Sequence, residues 1–296
     1  MAIQKNKVIL IVGASGFLGK SLHNHLNATM GNQYEIIGTF FSSNNPNTLY
    51  HLDITNSEDV EKYLLTYKPD YLILTAGTKN VQLCEENYEY AYTLNTKPVE
   101  TFIQIIEKHK MPTKFIFLST DYVFDGEKGF YKDTNTPNPQ TNYGKSKYLS
   151  ENLLLESIID FKIIRSAAVI GKSGKFFDWL MNEIKNNKEV AIFNNVFFSP
   201  TPIGLLNEMT LKLLLDYEKI ESKIIHIAGE KRLSRYEFAL LLHDLLECKK
   251  AEIIPETIDI SSAIFQKDLS LVQSDFVKAN QLKSFEEYIK TEVIND

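Results

Sequence analysis

"VILIVGASGFLGK", Val8 to Lys20, begins as an unbroken apolar run and passes through three evenly spaced glycines. Continuous aliphatic and β-branched residues fit a strand covered on both faces, as in a parallel sheet. Gly13, Gly16 and Gly19 follow at three-residue intervals. The first permits a tight turn, the second lets backbone approach a ligand closely, and the third lets helix and strand pack together. A helix opening directly after such a turn presents unpaired N–H groups and a positive dipole end. The pattern therefore predicts a dinucleotide phosphate held at Gly13, Ser15, Gly16, Phe17, Leu18 and Gly19.

The same alternation continues. "KVILIV" (Lys7 to Val12), "YEIIGTF" (Tyr34 to Phe40), "YLILTAG" (Tyr71 to Gly77), "KFIFLST" (Lys114 to Thr120) and "KIIRSAAVIG" (Lys162 to Gly171) read as strands. Helical patterns separate them, with Leu18, Leu22 and Leu26 in one and Val60, Leu64 and Leu65 in the next. "TNSE" at Thr55 to Glu58 has capping-box spacing before the second helix. Alternating β and α units predict an α/β fold with a doubly wound parallel sheet of the Rossmann type. After Gly171 the rhythm changes to helices over Phe176 to Asn186 and Leu205 to Leu215, with a strand-like "KIIHIAG" at Lys223 to Gly229. "SRYE" (Ser234 to Glu237) and "SFEE" (Ser284 to Glu287) are further capping boxes. The expected division is a dinucleotide-binding domain over 1–170 and a small α/β substrate-binding lobe over 171–296, with strand 223–229 returning to the first sheet.

Composition narrows the functional classes. The 296 residues are 44% apolar and 24% charged, ordinary for a globular chain that folds in water. A formal charge of −6 supplies no basic field for nucleic acid or anionic lipid. Cys84 and Cys248 are too few and too far apart for a disulfide framework or a metal set, so no metal is assigned. No 18-residue apolar run exists, and the N-terminus lacks signal-peptide patterning. The expectation is a cytoplasmic protein without nucleic-acid or membrane partners.

Asp53 of "HLDIT" ends a strand where its carboxylate could accept a hydrogen bond from adenine, or instead cap the next helix. Ile54, Thr75, Ala76 and Gly77 are assigned to the same cofactor. "GTFFSS" at the end of the second strand offers Thr39, Ser42 and Ser43 but no acid. A carboxylate there would bind both ribose hydroxyls and repel a 2′-phosphate. Its absence favours NADPH, with NADH as the alternative.

Tyr143 and Lys147 stand one helical turn apart, on one face. A free phenol has a pKa of about 10, too high for proton transfer near neutrality. A neighbouring ammonium favours phenolate and brings that value down. Thr120, at a strand end, can hydrogen-bond a substrate carbonyl. The trio suits hydride transfer to a carbonyl carbon, with Tyr143 protonating the oxygen; Tyr143 and Lys147 also face the cofactor.

"VGASGFLG", "STDYVFDG", "NPQTNYGKSKYLSE" and "IIHIAGEKRLSRYEF" resemble the extended short-chain dehydrogenases, specifically the dTDP-4-dehydrorhamnose reductase-like branch, over nearly the whole chain. The resemblance implies a Rossmann domain, a small C-terminal substrate lobe and NAD(P)H-dependent reduction of a 4-keto nucleotide sugar. It places Thr78, Asp121, Tyr122, Phe176, Phe177, Phe198 and Thr201 at the substrate, and admits a homodimer. Related dehydratases carry an acidic pair after the threonine, whereas here Tyr122 follows Asp121, which favours reduction over elimination or epimerisation. The family also includes the non-catalytic NADP-binding β subunit of methionine adenosyltransferase, a second implied role.

The substrate half departs from the family pattern. Where the family has "DQxGxPT", this chain has Asn195 to Thr201, with Val196 and Phe198 in place of Gln and Gly. Ala168 replaces a tryptophan, Phe265-Gln266 an Arg-Pro pair and Gln82 an acid. Losing an arginine that could face a diphosphate leaves Lys79, Lys172, Lys175 or Lys267 to compensate. Trp179 reads as packing.

Overall fold

A computed structural model of the chain describes residues 7–42, 49–247, 250–260 and 266–294. Ser43, Cys248 and Phe265 lie outside those residues. Seven strands form one parallel sheet. They are β1 (Lys7–Val12), β2 (Tyr34–Phe40), β3 (Tyr50–His51), β4 (Tyr71–Leu74), β5 (Lys114–Thr120), β6 (Phe161–Ser166) and β7 (Ile224–His226). Their order across the sheet is β7-β6-β5-β4-β1-β2-β3. The winding reverses between β1 and β4, and in open α/β sheets that reversal opens a crevice beyond the strands' carboxyl ends. Gly13 directly follows β1, and Thr75 directly follows β4.

Among the described residues the helices of ten or more residues are α1 (Phe17–Met30), α2 (Ser57–Tyr67), α3 (Lys97–Lys108), α4 (Asn142–Glu156), α5 (Lys175–Lys185), α6 (Ile203–Leu215), α7 (Arg235–Leu246) and α8 (Phe285–Ile294). The chain forms two compact units that interleave in sequence. One comprises Met1–Ser119, Thr141–Ile164 and Ser222–Ile224; the other comprises Thr120–Gln140, Arg165–Glu221 and Ile225–Asp296. Each has its own core. In the first, Leu10, Leu72, Phe102, Phe115 and Phe161 are buried together. In the second, Leu180, Ile184, Phe238, Leu242 and Ile289 do the same. Burying one such side chain stabilises by about 1.5–3 kcal/mol.

Three strands begin and end where their apolar runs do, because covering both faces leaves no polar alternation to blur the ends. Three runs stop early, and that from Lys223 to Gly229 yields only β7, Ile224–His226. β4 ends at Leu74 because Thr75 and Ala76 both direct their N–H groups at Val12 O, at 2.9 and 3.0 Å, which turns the chain out of the ladder. The run from Lys162 divides after Ser166. Val169–Ile170 pairs instead with Thr201–Pro202, and Thr201 N donates to Ala168 O at 3.0 Å. The capping box expected at Thr55 is also corrected. Thr55 spends its N–H and hydroxyl on Asp53 Oδ1, at 2.9 and 2.7 Å. Asn56 caps α2, accepting from Glu58 N at 3.0 Å and Asp59 N at 3.3 Å. Both other boxes form, at Ser234/Glu237 and at Ser284/Glu287.

Candidate active site

The glycine turn is built by close approach. Gly13 has φ +92°, and a Cβ there would lie 2.7 Å from Ala76 N. At Gly19 a Cβ would fall 2.2 Å from Gly13 O, so helix α1 can seat against β1 only without a side chain. Gly16 is different: a Cβ there would meet only Gly13 O, at 3.4 Å, and otherwise open space. Gly16 is also the N-cap of α1 and provides no side-chain cap for the N–H groups of the first turn. An open cradle under uncapped donors fits a dinucleotide phosphate. Ser15, Phe17 and Leu18 are half-buried around it, and Lys79 Nζ lies 5.2 Å from the Phe17 ring centroid.

The buried hydroxyl of Thr39 accepts from Gly13 N at 3.2 Å and so braces the turn. Ser42 is exposed at the end of β2, beside Phe41, and no acid follows β2 among the described residues. Asp53 forms the Asx turn described above through Oδ1, and Ile54 packs against the first core.

A residue absent from the sequence reading organises the loop after β4. Buried Asn95 lies in a π-helical turn, Tyr92–Thr96, a local form that recurs at functional sites. Its Oδ1 accepts from Thr78 N at 2.8 Å, and its Nδ2 donates to Ser146 Oγ at 3.0 Å. Ser150 Oγ donates to Asn95 O at 3.0 Å, and Thr96 Oγ1 to Ser146 O at 2.8 Å. Four hydrogen bonds thus tie the loop at Gly77 and Thr78 to α4, the helix carrying Tyr143 and Lys147. Thr141 caps that helix, its Oγ1 accepting from Gly144 N at 3.0 Å.

Tyr143 is half-buried in the first turn of α4. Lys147 is buried, donates from Nζ to Leu118 O at 2.6 Å, and lies 3.9 Å from the Phe117 ring centroid. Burial pulls its pKa down to about 7, while the nearby Glu151 carboxylate opposes the fall. Glu151, one further turn along and fully buried, accepts from Ser119 Oγ at 2.5 Å. Tyr143, Lys147 and Glu151 therefore form one stripe at four-residue spacing, with its lower members anchored to the last residues of β5. That spacing was the sequence signal for Glu151.

The second unit holds the substrate-side candidates other than Thr78. Thr120 Oγ1 donates to Asp121 Oδ1 at 2.9 Å and accepts from Tyr122 N at 3.3 Å. Burial pushes the Asp121 carboxyl up to about 7, against the hydrogen bond from Thr120 and the charge of Arg235. Tyr122 is pushed up to about 12, again chiefly by burial. Phe176 is half-buried, whereas Phe177 and Phe198 are core residues. Thr201 is fully buried, its hydroxyl lying 3.5 Å from Ser199 O and from Ile227 O. Val196 is buried too, so the apolar replacements in this segment fill the unit's interior. Gln266, in place of the family's proline, donates from Nε2 to Phe124 O at 3.0 Å and Asp125 O at 2.9 Å. Trp179 is exposed, 6.1 Å from Phe176 between ring centroids. Lys172, Lys175 and Lys267 are exposed. Arg235, read from the sequence only as part of a capping box, lies over the Phe176 and Phe198 rings. Among the described residues no three His, Cys, Asp or Glu side chains gather as a metal set, and no helix is long and apolar enough to cross a membrane.

The family model described as "RmlD substrate binding domain" matches residues 7–279. The chain is 30% identical to a dTDP-4-dehydrorhamnose reductase of Aggregatibacter actinomycetemcomitans over 88% of its own length and 85% of the relative's. It is 24% identical to the methionine adenosyltransferase 2 subunit beta of Xenopus tropicalis, over 84% of this chain and 75% of that one. The crystal structure of dTDP-4-dehydrorhamnose reductase from Bacillus anthracis in complex with NADP superposes with a TM-score of 0.85 at 25% identity, covering 99% of this chain and 100% of the other.

Proposed function

Because this chain belongs to the RmlD substrate binding domain family, we propose that it is an NADPH-dependent reductase of a keto-sugar nucleotide. The observation carrying this reading is the stripe on α4: a half-buried tyrosine one turn from a buried lysine fixed on Leu118 O. A lysine buried this way loses hydration, a cost that packing alone does not explain. The likeness to reductases, one of them described with NADP, supports the choice of chemistry and cofactor.

When bound, NADPH supplies the hydride that reduces the substrate carbonyl. The backbone at Gly13, Gly16 and Gly19 and the first turn of α1 would hold its phosphates, Asp53 would offer an acceptor to its adenine, and Ile54 and Thr75–Gly77 would complete the site. Tyr143 gives its phenolic proton to the carbonyl oxygen. The Lys147 ammonium stabilises the resulting phenolate, and Glu151 favours that ammonium against the effect of burial. Thr120 donates to the same carbonyl oxygen once its hydroxyl turns from Asp121. In this reading 1–170 serves chiefly the cofactor and 171–296 chiefly the sugar nucleotide, with Thr78, Asp121, Tyr122 and Phe176 at the sugar. Phe177, Phe198 and Thr201 shape that region from within its packing. Elimination is disfavoured, because Tyr122 cannot take the place of a second carboxylic acid. A homodimer in the cytoplasm belongs to the same proposal.

A second reading, a cofactor-binding regulatory subunit, draws on the methionine adenosyltransferase likeness. One experiment separates them: incubation with a panel of 4-keto nucleotide sugars and NADPH, following loss of NADPH absorbance. Oxidation dependent on any one sugar establishes the reductase. No oxidation across the panel, with NADPH still bound, transfers the case to the regulatory reading.

A further inference from the structure

Arg235 occupies the first position of α7, and its backbone is held on several sides. Its N–H donates to Val196 O at 3.0 Å. The preceding Leu233–Ser234 runs antiparallel to Phe197–Phe198. Ser234 and Glu237 close the capping box, with Glu237 N donating to Ser234 Oγ at 3.0 Å and Ser234 N to Glu237 Oε2 at 2.6 Å. The guanidinium carbon then lies 4.2 Å from the Phe198 ring centroid and 4.7 Å from that of Phe176. Phe198 is itself fixed, since it packs edge-on against Phe238 at 5.8 Å.

Two rings restrict the guanidinium while leaving its N–H groups unspent. Among the described residues no acceptor takes a hydrogen bond from the Arg235 side chain and no carboxylate forms an ion pair with it. Tyr122 and Asp121 act on it only through their charge, and Asp121 Oδ1 already accepts from Thr120. With a carboxyl pushed up to about 7, Asp121 carries a full counter-charge only in alkaline solution. A half-buried arginine carries five donors and a permanent charge, and stacking on rings satisfies the charge in part and the donors not at all. What completes such a group is a planar or tetrahedral oxyanion bound through paired N–H···O contacts.

We propose that Arg235 binds an oxyanion of the substrate, either the diphosphate of the sugar nucleotide or a carboxylate on its sugar. This rests on the keto-sugar nucleotide reading above and narrows it. The arginine stands in the second unit with Asp121 and Tyr122, so it selects for substrates charged near the sugar. It also accounts for a substrate half whose other basic candidates, Lys172, Lys175 and Lys267, are exposed.

The test is calorimetric titration of the NADPH-loaded protein with inorganic pyrophosphate and, separately, with glucuronate. Wild type and Arg235→Gln are compared, and NADPH affinity is measured for both. Binding of pyrophosphate that weakens tenfold or more in the variant, with NADPH affinity unchanged, assigns the diphosphate. The same result with glucuronate assigns the carboxylate. Equal affinities in the two proteins, or no binding of either anion by wild type at millimolar concentration, overturns the proposal. Should Arg235→Gln not fold, Arg235→Lys replaces it. That variant keeps the charge but not the paired donors, so a loss of at least threefold is expected, and unchanged affinity overturns the proposal. Failure of the reductase reading shows separately, as absent NADPH oxidation beside intact, Arg235-dependent anion binding.

Discussion

Lys147 and Asp121 are buried groups whose titration both fall near neutrality, and each makes a pH-dependent prediction. The unfolded Asp121 carboxyl titrates near its ordinary value of about 4, and the folded one at about 7. Between those values the native state holds a proton that the unfolded chain has released. The contribution of Asp121 to stability is thus full below about pH 4 and is lost as pH rises toward 7. Asp121→Asn should flatten this part of the stability curve, measured by denaturant unfolding from pH 4 to 8; an unchanged slope would assign the decline to another group. At Lys147 the Glu151 carboxylate raises a pKa that burial has pulled down to about 7. Glu151→Gln removes that support, so the alkaline limb of turnover should move to lower pH while the acid limb stays. A uniform loss of activity at every pH would reduce Glu151 to packing.

At the scale of elements, the glycine turn separates roles that the bare spacing leaves alike. Gly16 has extended backbone and open space, so Gly16→Leu should leave the thermal stability of the cofactor-free protein nearly unchanged. It should abolish the rise in Tm that NADPH produces in wild type. Gly19→Ala, whose Cβ would meet Gly13 O at 2.2 Å, should instead destabilise the cofactor-free protein by about 1–3 kcal/mol, the usual range for overpacking. If both variants lose only cofactor binding, the assigned geometry of the turn is wrong. The contrast also shows what was legible in the sequence. Strands β1, β2 and β5 could be read to the residue, because burial on both faces writes itself as a continuous apolar run. Tyr143, Lys147 and the glycines could be read because their spacing along the chain is local, although the acceptor of Lys147, Leu118, and the neighbour of Gly13, Ala76, are distant in sequence. Asn95 could not, because its partner Ser146 lies 51 residues away; Glu151 continues the four-residue spacing, but its partner Ser119, 32 residues away, shows only in the fold. Arg235 was visible as a helix start, but its rings come from Phe176 and Phe198 on other elements. The cap of α2 was misplaced by one residue because Asp53 competes for Thr55.

In the whole molecule, a glycine turn with no acid after β2 is combined with an α4 stripe suited to proton transfer. The first feature predicts that NADPH binds at least as tightly as NADH in direct titration. A tenfold preference for NADH, about 1.4 kcal/mol, would mean that another residue reads the ribose. The second feature carries the central claim, that Tyr143 is the proton donor of a keto-sugar nucleotide reductase. Its most direct test is NADPH oxidation with dTDP-4-dehydrorhamnose, or with whichever sugar the panel identifies, by wild type and by Tyr143→Phe. The variant loses one hydroxyl and should bind NADPH like wild type, while its turnover falls by roughly 10²–10⁴, the loss expected for a positioned general acid. Turnover by the Phe variant equal to that of wild type would contradict the account.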